Sequence, residues 1–94
     1  MADSTLYSIL ATNILKSQIM VIGPLAIDQA RKVAGITIGN GNTVSIKGNG
    51  KELLANLVQQ FEQLFGAASV EACKDAVKES QLSISDSDLP EILR

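Results

Sequence analysis

The 94-residue chain contains no histidine and only one cysteine, Cys73. Histidine is the commonest general base and a common metal ligand, so serine–histidine and cysteine–histidine catalytic arrangements are excluded within one chain. One thiol can form neither an internal disulfide nor, without histidine, a zinc site of the usual kind. The sequence therefore predicts a protein that is not an enzyme and that uses no metal or other cofactor.

Aromatic residues and charged residues are also few. Aromatics make up 3% of the chain and tryptophan is absent, which leaves few platforms on which single-stranded nucleic acid could stack. Residues 1–47 carry four basic and two acidic side chains, and residues 48–94 carry four basic and eight acidic ones. The cations form no basic stripe, so we expect no nucleic-acid partner.

Long hydrophobic runs are lacking as well. The longest, residues 19–27, is interrupted by Gly23-Pro24 and is shorter than the roughly 20 residues that a membrane-spanning helix needs. The first residues carry no cationic region typical of a secretory signal. We therefore expect no membrane span, and a reducing, cytoplasmic location that suits the single thiol.

Apolar residues at helical spacing predict two helices in the first third of the chain. Helix one covers residues 4–21, with an apolar stripe formed by Leu6, Ile9, Leu10, Ile14 and Val21. Gly23-Pro24 ends it, because proline disrupts a helix interior but fits the first turn of a new helix. Helix two is predicted from Pro24 to about Ala34, with Gly35 as its C-cap.

In residues 36–46 the spacing of apolar side chains changes from the helical pattern to alternation. Apolar and polar side chains alternate on both sides of Gly39-Asn40-Gly41-Asn42, and asparagine and glycine tolerate the positive φ angles of hairpin turns. This pattern predicts a short β-hairpin. Because an isolated hairpin is barely stable in water, it must pack on the helices or pair with a strand of another copy.

Two further helices are predicted in the second half. Helix three begins at Asn49 or Gly50 and ends before Gly66, with a regular apolar stripe of Leu53, Leu54, Leu57, Val58, Phe61, Leu64 and Phe65. Helix four is predicted to be capped by Ser69 and to carry a weaker stripe of Val70, Cys73, Ala76 and Val77. On this apolar face we interpret Cys73 as a buried core thiol rather than a redox sensor.

The predicted fold class is mainly α, with about four helices and a short β-hairpin between helices two and three. Residues 1–80 would form a single helical domain. Residues 81–94 would form a flexible tail, rich in serine and aspartate at its start, whose last residues could form a short terminal helix.

One loop has glycines before a helix, an arrangement that can bind anions. It is formed by Gly48, Asn49, Gly50 and Lys51, which we call the 48–51 loop. It departs from the phosphate-loop pattern, because Ser45 stands where the first glycine is needed and Glu52 follows the lysine. A plain turn and helix cap is the simpler interpretation, and a weak anion site is the alternative.

Two segments are candidates for interaction with another protein. In the first, residues 19–27, the candidate interface residues are Ile19, Met20, Ile22, Leu25 and Ile27; the alternative is a buried corner between two helices. In the second, the tail, they are Leu89, Ile92 and Leu93, which could enter a partner's groove or dock on their own domain.

The first segment also resembles a known family. Val21-Ile22-Gly23-Pro24-Leu25-Ala26, with a predicted helix on either side, is similar to a short bacterial helical domain with an Ile-Gly-Pro-Ile-Ala signature. That domain occurs in regulatory proteins, often near kinase or roadblock-type modules. The similarity covers residues 6–34, with looser similarity in helices three and four, and it implies a regulatory or scaffolding role without catalytic residues.

These observations lead to two hypotheses. The first is a non-catalytic protein–protein interaction or regulatory module that self-associates as a homo-oligomer and binds an unidentified protein partner. The second is a small ligand- or anion-sensing regulatory domain that uses the 48–51 loop.

Overall fold

The computed structural model describes residues 4–80 and 84–94. The described elements are four α-helices, a two-stranded sheet and short 3-10 turns, which confirms the predicted fold class. In chain order they are α1 (Ser4–Ile22), α2 (Leu25–Ala30), β1 (Ile36–Ile38), β2 (Val44–Ile46), α3 (Gly50–Phe65) and α4 (Ala67–Glu79). The 3-10 turns lie at Asn40–Asn42, Asp86–Asp88 and Glu91–Leu93.

The long helix α1 is the centre of the fold and packs against α2, α3, α4 and β2. Its buried side consists of Tyr7, Leu10, Ala11, Ile14, Leu15 and Gln18. The prediction placed Ile9 and Val21 on this stripe, but both are exposed. Ile9 is about 100° around the helix from Leu10, and Val21 borders an open groove between α1 and α4.

By length and composition alone, the Thr5–Ile22 stretch of α1 could cross a membrane. The core helix of a soluble protein passes the same test, and a third of this stretch is buried inside the fold. The similarity to a spanning helix is therefore weak support for a membrane role.

The predicted break at Gly23-Pro24 separates α1 from α2. Gly23 has a φ of 76°, a conformation that only glycine adopts at little cost. The second helix ends at Ala30, earlier than predicted, because the amides of Lys32 and Val33 bond to the carbonyls three residues before them. Such bonds tighten the chain into a 3-10-like turn and stop the α-helix.

The hairpin is antiparallel, with Ile36 opposite Ile46 and Ile38 opposite Val44. It packs on α1, and two hydroxyls of α1 bond to the backbone of β2. Thr12 Oγ1 accepts from the Val44 amide at 2.9 Å, and Ser8 Oγ accepts from the Ile46 amide at 3.2 Å. One of the two predicted options, packing on the helices, thus occurs in this chain.

Helices α3 and α4 complete the core. Asn49 is the N-cap of α3, and its side-chain oxygen accepts from the Glu52 amide at 3.0 Å. Leu54, Leu57, Val58 and Phe61 are buried as predicted, but Leu64 is exposed. Ser69 does not cap α4: the helix starts at Ala67, and Ser69 is buried inside its first turn.

The described part of the predicted tail, residues 84–94, lies against α3 and α4. Leu89 and Leu93 belong to the hydrophobic core, and Tyr7 of α1 donates a hydrogen bond of 2.6 Å to the Asp88 carbonyl. The boundary predicted at residue 80 therefore does not mark the end of the core. The first residues of the predicted tail, 81–83, lie outside the described residues.

Candidate functional site

The two most exposed large apolar side chains of the described residues lie at the end of α1, and a third exposed one lies at the start of α2. Met20 is 88% exposed, Val21 63% and Leu25 47%. We call these three residues the corner surface. Two of them, Met20 and Leu25, were predicted as interface residues, whereas Val21 was assigned to the core stripe. Apolar side chains this exposed and this close together are typical of surfaces that contact another molecule.

The other residues predicted in this segment have a different role. Ile19, Ile22 and Ile27 are half-buried and pack against the hydrophobic core. These contacts fix the end of α1 and the start of α2, the two segments that carry the corner surface, on the core. The buried-corner alternative therefore holds for these three residues, whereas the interface at Met20 and Leu25, which are exposed, stays a prediction.

A groove of about 530 Å³ runs beside the corner surface, between α1 and α4. We call it the α1–α4 groove. Its lining consists of Asn13, Lys16, Ser17, Met20 and Val21 from α1, and Ala72, Asp75, Ala76, Glu79 and Ser80 from α4 and its C-cap. At one end, Asn13 Nδ2 donates to Ser80 Oγ at 2.7 Å and ties the two helices together.

Small side chains make this groove possible. Ala72 and Ala76 stand one helical turn apart on α4, so they leave room where larger residues would close the space. Lys16, Asp75 and Glu79 are exposed around them. The α4 half of this surface was not predicted from the sequence, although two alanines four residues apart beside acidic side chains were a signal for it.

The 48–51 loop has partners within its own chain. Lys51 Nζ donates to the Ser87 carbonyl at 2.8 Å. The lysine that an anion would need is therefore already bonded to the tail. The shallow cleft beside it is lined by two cations and two carboxylates, those of Lys51, Arg94, Glu52 and Glu91. Arg94 Nε in turn donates to the Asp86 carbonyl at 2.7 Å. The loop begins a helix and anchors the tail, and its charges give no preference for an anion.

The tail residues predicted to bind a partner lie instead against their own domain. Leu89 and Leu93 are buried, and Ile92 is half-buried against the same core. In this arrangement they offer no apolar face to another protein. The intramolecular alternative, a tail docked on its own domain, is the arrangement in the structure.

A small polar cluster is buried between α1 and α4. Gln18 Nε2 donates to the Ser69 carbonyl at 3.3 Å and to Cys73 Sγ at 3.5 Å, whereas Gln18 Oε1 has no partner in the described part of the chain. Burial raises the pKa of the Cys73 thiol to about 12, an effect that the hydrogen bond from Gln18 only partly offsets. The predicted buried core thiol is thus confirmed, and it is protonated and shielded from oxidants near neutral pH.

Residues 4–80 and 84–94 contain no group of three or more histidine, cysteine, aspartate or glutamate side chains placed to hold a metal ion. No family model, curated protein or solved structure matches the chain. The corner surface with the adjoining α1–α4 groove is therefore the candidate site that rests on the chain's own geometry.

Proposed function

We propose that this protein is a non-catalytic protein–protein interaction or regulatory module that self-associates. The observation that carries the proposal is the corner surface, where Met20, Val21 and Leu25 are exposed at the junction of α1 and α2. Leaving such side chains in water has a cost of roughly 25 cal/mol for each Å² of apolar area, and contact with another protein removes it. A small domain with a modest core gains particularly from such burial.

The chemistry of the chain supports the same proposal. The absence of histidine leaves no usual general base, and Cys73, the single thiol, is buried. The resemblance of residues 6–34 to a bacterial regulatory domain points to a regulatory or scaffolding role, and the single thiol suits a reducing, cytoplasmic location. Engagement of Lys51 by the tail weighs against the anion-sensing alternative.

Light scattering coupled to size-exclusion chromatography tests the proposal on the full chain. We expect the apparent mass to rise above the 9.9 kDa monomer as the concentration increases into the high micromolar range. A mass that stays at the monomer value throughout that range would rule out self-association. Because self-association follows mass action, dilution must return the apparent mass to the monomer value.

A further inference from the structure

We propose that the α1–α4 groove is the dimer interface and that a second copy of the same chain fills it. In this arrangement the Met20 side chain of each copy enters the groove of the other, around a two-fold axis. The inference deepens the proposed self-association by naming its surface and its geometry, and it rests on that proposed function.

The shape of the surface favours a second copy as the occupant. One face carries both a protruding side chain, Met20 at 88% exposure, and a recess floored by Ala72 and Ala76. In a two-fold interface the same patch is used twice, so residue i contacts j and j contacts i. A patch with a projection and a matching recess satisfies both contacts at once. Methionine suits this role because its unbranched side chain adapts to irregular space.

The charges around the recess are also self-complementary. Lys16 lies on the α1 side of the groove, and Asp75 and Glu79 lie on the α4 side. None of these three has an ion-pair partner among residues 4–80 and 84–94; the ion pair of α4 joins Lys74 to Glu71. A two-fold axis that runs parallel to the groove exchanges its two sides, so each Lys16 lies opposite the acidic side of the other copy.

These exposed charges set orientation more than affinity. Surface ion pairs contribute about 0–1 kcal/mol each, so Met20 and the apolar floor supply most of the binding energy. The mixed charges also disfavour an anionic membrane as the occupant, because Asp75 and Glu79 would face lipid head groups of the same sign. A second copy, in contrast, presents both a cation and carboxylates, and so complements the charges of both signs around the groove.

The first experiment compares Met20→Glu with Leu64→Glu by sedimentation equilibrium. Leu64 is a matched control, because it is an exposed apolar residue on α3 that does not line the groove. We expect Met20→Glu to weaken the dimer at least tenfold and Leu64→Glu to leave its dissociation constant within twofold of the wild type. Both changes are at exposed positions, and circular dichroism verifies that each variant is folded.

The second experiment tests the two-fold geometry by exchanging charges. Lys16→Glu alone, and Asp75→Lys with Glu79→Lys in another chain, should each weaken self-association because like charges then meet across the axis. Mixing the two variants should restore dimers, since every contact again joins opposite charges. Native mass spectrometry identifies the mixed dimer by its mass.

The outcomes separate this inference from the proposed function. If the wild type dimerises but Met20→Glu has no effect, or if mixing restores nothing, the groove is not the interface and self-association stands. If the wild type remains monomeric, both proposals fail. If the wild type stays monomeric yet sediments with anionic phospholipid vesicles, and Met20→Glu abolishes that, the surface is a membrane contact and the dimer is overturned.

Discussion

Gly50 is a position where helix propensity and packing oppose each other. As the first residue of α3 it lies directly against the ring of Tyr7, and a Cβ atom at this position would overlap the ring carbons. The same tyrosine bonds to the Asp88 carbonyl, so its ring cannot move away without disturbing the tail. Glycine here permits the close approach of α3 to α1.

We expect Gly50→Ala to destabilise the fold, although alanine is the better helix former. Helix propensity alone predicts a gain in folding stability of roughly 0.5–1 kcal/mol, whereas overpacking against Tyr7 costs about 1–3 kcal/mol. The larger packing cost therefore makes the net change in stability unfavourable. Urea unfolding measures the change. Gly39→Ala is the control, because the nearest atom to its Cβ would be the Thr43 carbonyl oxygen at 3.9 Å. A Gly50→Ala variant as stable as the wild type would contradict the close contact.

The hairpin depends on α1 for more than apolar contact. Its two strands have three residues each, too few to be stable alone. Val44 is buried in the core, and its amide bonds to Thr12 on the helix below. The hydroxyls of Ser8 and Thr12, one helical turn apart, thus fix where the hairpin lies along α1.

Thr12→Val should loosen the hairpin while it keeps the shape of the side chain. The Val44 amide would lose its acceptor in a partly buried place, which costs about 1–3 kcal/mol. We expect a lower free energy of unfolding and faster hydrogen exchange at the Val44 amide. The control is Thr37→Val on the exposed face of β1, which should change neither quantity. Unchanged exchange at Val44 in the Thr12 variant would refute the proposed anchoring.

Local patterns predicted the elements well, because each depends on residues close in sequence. Helical spacing identified the four helices, and the Asn-Gly turn identified the hairpin. The end of α2 and the start of α4 were placed wrongly. Their ends depend on backbone bonds and burial, as the buried position of Ser69 illustrates, and side-chain pattern does not encode these directly.

For a related reason, only the α1–α2 part of the candidate site was predicted, and its α4 part was not. The exposed Met20 and Leu25 come from one local segment, so an excess of apolar residues there was visible. The groove joins Lys16 to Asp75, residues far apart in sequence that meet only when α4 packs on α1. The buried position of Gln18 was not predicted, because a polar residue interrupts the apolar pattern from which a buried helix face is recognised. Its side-chain amide in fact has hydrogen-bond partners on α4.

The described part of the molecule is compact, and its C-terminal residues contribute to that compactness. Its radius of gyration is 11.6 Å, close to the roughly 12 Å of a compact domain of this length. Residues 84–94 contribute to this compactness, since Leu89 and Leu93 fill the core beside α3 and α4. The last residues are therefore part of the folding unit.

We expect Leu93→Ala to destabilise the entire domain. Removal of a buried leucine side chain costs about 2–5 kcal/mol, a large share of the stability of a small domain. Leu64→Ala is the matched control, because Leu64 is half exposed and should cost far less. Thermal unfolding monitored by circular dichroism compares the two. Equal melting temperatures for the two variants would show that the tail does not contribute to the core.

The hydroxyls that anchor β2 have one more consequence, for the behaviour of the protein at high concentration. An uncovered strand edge offers unpaired amides on which strands of other molecules can stack, which is a route to aggregation and amyloid. The outward amides of Val44 and Ile46 already bond to Thr12 and Ser8. A strand of another chain could pair on that side only by displacing both hydroxyls, so concentrated protein should be protected from fibril growth through β2.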